Sequence, residues 1–138
     1  MSKKIRVLVV DDSALMRKLI SQVLQRDPSI EVVGTAMDGA IGLKKIDELH
    51  PHVVTLDIDM PRMDGIEATR IIRASSAHGS RIPILAITAS VSPAEVRSYR
   101  EAGMNDVVAK PIEASRLLEA LSTAMSASPT RRRRSPPC

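Results

Sequence analysis

The chain has 138 residues, a length that suits one domain with a single core. Its 43% apolar content excludes disorder for the bulk, and one Tyr with no Phe or Trp leaves few groups to stack on single-stranded nucleic acid. The formal charge of +4 is local: four of the 20 basic residues are Arg131–Arg134, and without them basic and acidic residues balance at 16 each.

Cys138 is the sole cysteine, so no internal disulfide can form, in keeping with a reducing compartment. No apolar run approaches membrane-spanning length. The start, Met1-Ser2-Lys3-Lys4-Ile5, leads into a strand-like run and not a signal-peptide core. A cytoplasmic protein with no membrane partner is expected.

Ile5 to Val10 is a short β-branched run and reads as the first strand. Asp11-Asp12-Ser13 follows, and Ser13 or Asp12 can cap a helix over Ala14 to Arg26. Met16, Leu19, Ile20, Val23 and Leu24 recur at helical spacing and give that helix one buried face. Glu31 to Ala36 is the second strand, and Asp38-Gly39 turns the chain into a helix over Ala40 to Leu49. Pro51 ends it. Val53 to Asp57 is the third strand, a mainly apolar, β-branched run that stops in a carboxylate, as a strand covered on both faces does.

A Met60–Gly65 loop leads to a D-x-x-E helix start at Asp64 and Glu67. Ser75 to Ser80 reads as a loop by composition. Ile82 to Ile87 is the fourth strand, with Thr88 at its carboxyl end. Ser92-Pro93-Ala94-Glu95 opens a helix to about Ala102, and Gly103 suits its end. Asp106 to Ala109 is the fifth strand, and Ile112 to Met125 the last helix. Residues 1–126 are expected to form the domain and 127–138 a disordered, basic, Pro-containing tail. Five repeats of strand then helix argue an α/β fold with a parallel sheet and helices on both faces. Right-handed crossovers bring every strand's carboxyl end to one edge.

That edge gathers Asp11 and Asp12 from the first strand, Asp57 from the third, Thr88 from the fourth and Lys110 from the fifth. Any one Asp at a strand end is more often a helix cap than a ligand. All of these arriving together is another matter. Three adjacent carboxylates repel one another unless neutralised, and Mg²⁺ suits a site of few carboxylates with open water positions. Asp can be a nucleophile that forms an aspartyl phosphate, and phosphoryl transfer needs mainly positioning and charge neutralisation. Lys110 and the Thr88 hydroxyl can supply both.

Val9-Val10-Asp11-Asp12-Ser13, Asp57 with Met60-Pro61-Arg62-Met63-Asp64-Gly65, Ile87-Thr88-Ala89 and Lys110-Pro111 resemble, in order and spacing, the receiver domain of two-component response regulators. The resemblance covers about residues 4–125. It implies a flavodoxin-like, doubly wound, five-stranded sheet of order 2-1-3-4-5 with five helices. It implies that Asp57 accepts a phosphoryl group from a histidine kinase or histidine phosphotransfer protein, and that the chain signals to an output protein. Asp12 and Asp57 would ligate Mg²⁺ with the Asp59 carbonyl, Asp11 would act through water, Thr88 and Lys110 would hold the phosphoryl group, and the Lys110–Pro111 bond would be cis. Catalysis beyond its own phosphorylation and dephosphorylation is not implied.

The first half, with Asp12-Ser13-Ala14-Leu15-Met16-Arg17, resembles chemotaxis methylesterase receivers; the second, with Ala102-Gly103-Met104-Asn105-Asp106, resembles those of hybrid histidine kinases. A methylesterase receiver fragment or chimera lacking its catalytic domain is therefore the alternative. One departure stands out: Val107 occupies the place, three before Lys110, where the family usually has Tyr or Phe. The Thr88 part of a switch can survive there, the aromatic part cannot. His50, His52 and His78 read as loop residues away from Asp57. Nucleic acid is not an expected partner, since Arg131–Arg134 lacks aromatic neighbours.

Overall fold

The structure, a computed structural model, describes residues 4–60 and 63–126. Expectations for the tail, including Arg131–Arg134 and Cys138, and for Pro61 and Arg62 lie outside the described residues. The elements run β1 (Ile5–Val10), α1 (Ala14–Leu24), β2 (Ile30–Ala36), α2 (Gly39–Leu49), β3 (Val53–Asp57), α3 (Gly65–Ser75), α4 (Ala77–Arg81), β4 (Ile84–Thr88), α5 (Pro93–Ala102), β5 (Asp106–Ala109) and α6 (Ala114–Ser126). The five strands are parallel and ordered β2-β1-β3-β4-β5, the expected flavodoxin-like topology.

Because successive strand residues face opposite sides, each apolar run splits between two cores. Val7, Val9, Val53, Leu85, Ile87 and Val108 meet Ile20, Val23 and Leu24 of α1 and Leu117 and Leu121 of α6. Leu8, Val10, Val54, Leu56, Ile84 and Ala86 meet Ile46 of α2, Ile72 of α3 and Tyr99 of α5. Both faces of the central strands are covered, which is why their sequences show no alternation.

Local chemistry sets the helix starts. Ser13 Oγ accepts from Met16 N, Asp38 from Ile41 N, and Asp64 from Glu67 N. Ser13, not Asp12, is thus the cap of α1, which leaves the Asp12 carboxylate for other work. Gly103 ends α5 at φ 114°, the left-handed region that glycine enters without strain.

Some boundaries differ from the sequence reading. α1 stops at Leu24, not Arg26, because Arg26 N and Asp27 N reach back three residues, to Val23 O and Leu24 O, and the last turn tightens. β4 begins at Ile84: Ile82 N still bonds to His78 O, and Pro83 has no N–H. α6 begins at Ala114 rather than Ile112. The stretch read as a loop holds a short helix of five residues, α4, in addition to the five expected. Ser76 Oγ caps it by accepting from Gly79 N, and Gly79 lies so close to Ile72 O that a Cβ would come within 2.4 Å.

Arg73 joins these parts. Its guanidinium donates to Gly79 O, Ile82 O, Gly103 O and the Asn105 side-chain oxygen, over 2.6–3.1 Å. The Asn105 oxygen also accepts from Ile84 N. One side chain of α3 therefore ties α4, the approach to β4 and the α5–β5 turn. Burial holds its pKa below the usual arginine value, though never near deprotonation. Arg73→Ala strips charge-assisted bonds from several carbonyls at once, so a loss on the order of 3 kcal/mol is expected in denaturant unfolding. Arg73→Lys should recover only part of it, because one ammonium cannot span this fork.

Candidate functional site

The carboxyl ends of β1, β3, β4 and β5 meet where the alternation predicts. Asp11 is held by a backbone bond from Asp11 N to Ala36 O at 3.0 Å. Its Oδ1 accepts from Ser13 N at 2.9 Å, while its Oδ2 is buried with no hydrogen-bond partner among the described residues. Asp12 is exposed and unpaired among those residues. Asp57 is 1% exposed and accepts on Oδ1 from Asp59 N and from Lys110 Nζ, each at 3.1 Å. Among the described residues its Oδ2 takes no hydrogen bond. One oxygen from each of Asp11, Asp12 and Asp57 lies within 4.8 Å of the others.

These charges perturb one another. Burial raises the Asp11 pKa to about 6; the Ser13 N–H and Lys110 pull against it, and Asp57 and Asp12 push with it. For Lys110, burial alone would favour the neutral amine. The bond and charge of Asp57, with Asp11 and Asp59 beyond, outweigh it and raise the pKa, so the ammonium is firmly charged. In this structure Lys110 already pairs with the Asp57 carboxylate.

The acid cluster fits a hard cation. An orphaned buried carboxylate oxygen beside two more carboxylates, with one nearby ammonium committed to Asp57, is a donor set short of positive charge. Asp59 contributes its N–H to Asp57; its side chain is exposed and stands outside the cluster.

The loop after β3 must return tightly. Gly65 N donates to Ile58 O at 3.0 Å, and a Cβ at Gly65 would lie 2.8 Å from Asp57 O. Only glycine lets the chain pass this close to the strand end that carries Asp57. The Lys110–Pro111 bond is cis.

Thr88 is buried at the end of β4 but does not bond to Asp57. Its hydroxyl accepts from Ser90 N at 3.1 Å and meets the Tyr99 hydroxyl at 3.3 Å. Val107 on β5 leaves an open groove of about 500 Å³ lined by Val91, Ala109, Lys110, Pro111, Glu113 and Arg116. The sequence shows the missing ring at Val107, whereas the reach of Tyr99 from α5 to Thr88 is visible only in the fold. The signal was the lone aromatic residue, one helix beyond Thr88.

The histidines stand at the opposite edge of the sheet. His52 Nδ1 accepts from Arg6 N, and His78 Nε2 lies 3.0 Å from Pro51 O, with the His50 ring 5.1 Å from that of His78. Among the described residues no helix is long and apolar enough to cross a membrane.

Residues 7–122 match the family model described as the response regulator receiver domain. A protein-glutamate methylesterase/protein-glutamine glutaminase of Koribacter versatilis is 54% identical over 115 residues, 82% of this chain and 31% of that protein. The chain spans less than a third of the length of this relative. The response regulator domain of Thermotoga maritima CheB superposes with a TM-score of 0.83 at 34% identity, over 92% of this chain and 100% of that one. A chain of the CheX–CheY–BeF3–Mg²⁺ complex from Borrelia burgdorferi gives 0.80 at 26% identity, over 88% of this chain and 89% of that one.

Proposed function

The chain belongs to the response regulator receiver domain family, and we propose that it accepts a phosphoryl group on Asp57 from a histidine kinase or phosphotransfer protein and signals by phosphorylation-dependent protein binding. One observation carries the reading: a buried carboxylate beside two further acids, with Oδ1 fixed by Lys110 and Asp59 N and no hydrogen bond to Oδ2 among the described residues. Oδ2 attacks phosphorus, the P–N bond of the donor phosphohistidine breaks, and an acyl phosphate forms on Asp57. Lys110 keeps Asp57 oriented beforehand and pairs with a phosphoryl oxygen afterwards. Thr88 donates to another once its hydroxyl turns from Ser90.

Mg²⁺ would be held by Asp12 and Asp57, with the Asp59 carbonyl and with Asp11 acting through water; bound there, it neutralises charge on the transferring group. The test is incubation with Mg²⁺ and acetyl phosphate, then mass mapping of the modified residue. Modification at Asp57 supports the reading; none anywhere sinks it.

Lys110→Ala should slow incorporation about tenfold, since one of two cationic neutralisers is lost. The labelled variant should also fail to change its partner affinity. A labelled variant that switches normally would remove Lys110 from the response.

A second reading rests on the relatives. They are methylesterases of which this chain spans less than a third, and in this reading the domain serves an esterase part, supplied covalently or separately. Binding of the phosphorylated chain to an isolated esterase domain favours this reading; indifference favours a free-standing signalling domain.

A further inference from the structure

The geometry points to Tyr99 as the positioning residue that holds Thr88 in its resting place and links it to helix α5, a role resting on the proposed phosphorylation of Asp57. Tyr99 is 3% exposed and packs in the core that α2, α3 and α5 share against the sheet. Its hydroxyl donates to Ser90 O at 3.2 Å and stands 3.3 Å from Thr88 Oγ1. Thr88 Oγ1 accepts from Ser90 N at 3.1 Å and lies 3.4 Å from Ser90 O. Two hydroxyls and one backbone unit close a small ring.

Tyr99 has one O–H, which Ser90 O and Thr88 Oγ1 can both take. The Thr88 O–H points to the Tyr99 oxygen or to Ser90 O, in both cases to a partner other than Asp57. Donation to a phosphoryl oxygen requires Thr88 to leave this ring. The bonds it gives up are long, so they restrain without locking.

The Tyr99–Ser90 bond involves neither Thr88 nor Asp57 and can persist in both states. It makes the loop after β4 and helix α5 move as one piece. No ring from β5 does this, because Val107 has none. The aromatic connection runs through the helix instead of the strand.

The Tyr99 hydroxyl therefore favours the resting state through Thr88 alone, since its other bond cancels between states. Tyr99→Phe keeps the ring and its packing and removes that restraint. Affinity for beryllofluoride with Mg²⁺, a phosphoryl mimic, should rise about fivefold, the shift expected from losing one neutral hydrogen bond in the resting state. In a Thr88→Ala background the same change should do nothing, because Thr88 is the group restrained.

The parent chain carries its own reporter, with one Tyr and no Trp. Tyrosine emission depends on what the phenol hydroxyl bonds to, so it should change as beryllofluoride binds. Fluorine-19 NMR reads occupancy independently, and thermal melts separate any loss of stability. Emission that tracks occupancy in the parent but not in Thr88→Ala, together with tighter binding by Tyr99→Phe, supports the role. Full occupancy with unchanged emission, or equal affinity in Tyr99→Phe, overturns it while leaving Asp57 phosphorylation intact. No occupancy in the parent overturns both.

Discussion

Asp57→Asn should lower phosphoryl incorporation from acetyl phosphate at least about a hundredfold, because the amide oxygen is a poor nucleophile and yields no acyl phosphate. The fold should hardly notice. The substitution removes one of three crowded carboxylate charges and leaves Lys110 without its ion pair. Those changes oppose each other, and Lys110 retains access to water. Mass mapping before and after Mg²⁺ addition checks the first point and a thermal melt the second. Label appearing at Asp11 or Asp12 in this variant would move the acceptor; label still at position 57 would remove the chemical premise.

The second large effect concerns Asp11 and pH. Its folded pKa of about 6 lies above the ordinary 3.8, so the folded chain binds this proton more tightly than the unfolded chain does. Without divalent cation, the ionised carboxylate therefore destabilises the fold above about pH 6. The penalty shrinks as pH falls through 6 toward 4 and vanishes below the unfolded value. Screening by nearby solvent reduces it, so its full size is on the order of 1–2 kcal/mol, or about 5 °C in melting temperature for a domain this long. Asp11→Asn should raise the metal-free melting temperature at pH 7.5 by most of that amount and flatten its rise between pH 6 and 4. It should also blunt the stabilisation that Mg²⁺ gives the parent, since a ligand stabilises the state it binds. A fall in the metal-free melting temperature would mean that the amide disrupts the Ser13 turn, and that the carboxylate is there for structure.

What could be read in the sequence was whatever period and position determine. The strand runs end in polar residues, the topology follows from alternation, and together these bring Asp11, Asp12, Asp57 and Lys110 to one edge without knowledge of any distance. Helix α4 escaped because Ser, His and Gly carry no helical preference. It exists through the Ser76 cap and the space that Gly79 leaves beside Ile72 O. Arg73 escaped for a different reason: most of its partners are backbone carbonyls, which no sequence pattern displays. Tyr99 and Thr88 are eleven residues apart, and their contact depends on how α5 is rotated against the sheet. The Lys110–Asp57 pair was anticipated as proximity but not as a bond already made in the resting chain.

The Arg73 fork also decides how α5 can move. It grips Gly103 O and Asn105, just past the carboxyl end of the helix, and Tyr99 and Ala102 are the buried residues of that half. At the other end Pro93, Ala94 and Glu95 are exposed, held by the Ser92 cap and by Glu95 reaching the Ser90 and Ser92 hydroxyls. A rod clamped at one end and loose at the other pivots rather than slides. Gly103 is the fulcrum and the Ser90–Ser92 segment the free end of the lever. A small shift at Thr88 therefore becomes an angular sweep, widest at Pro93 and nearly nil at Met104. Amide exchange along the helix should show that gradient, with Val96 and Arg97 opening well before Ala102 and Met104.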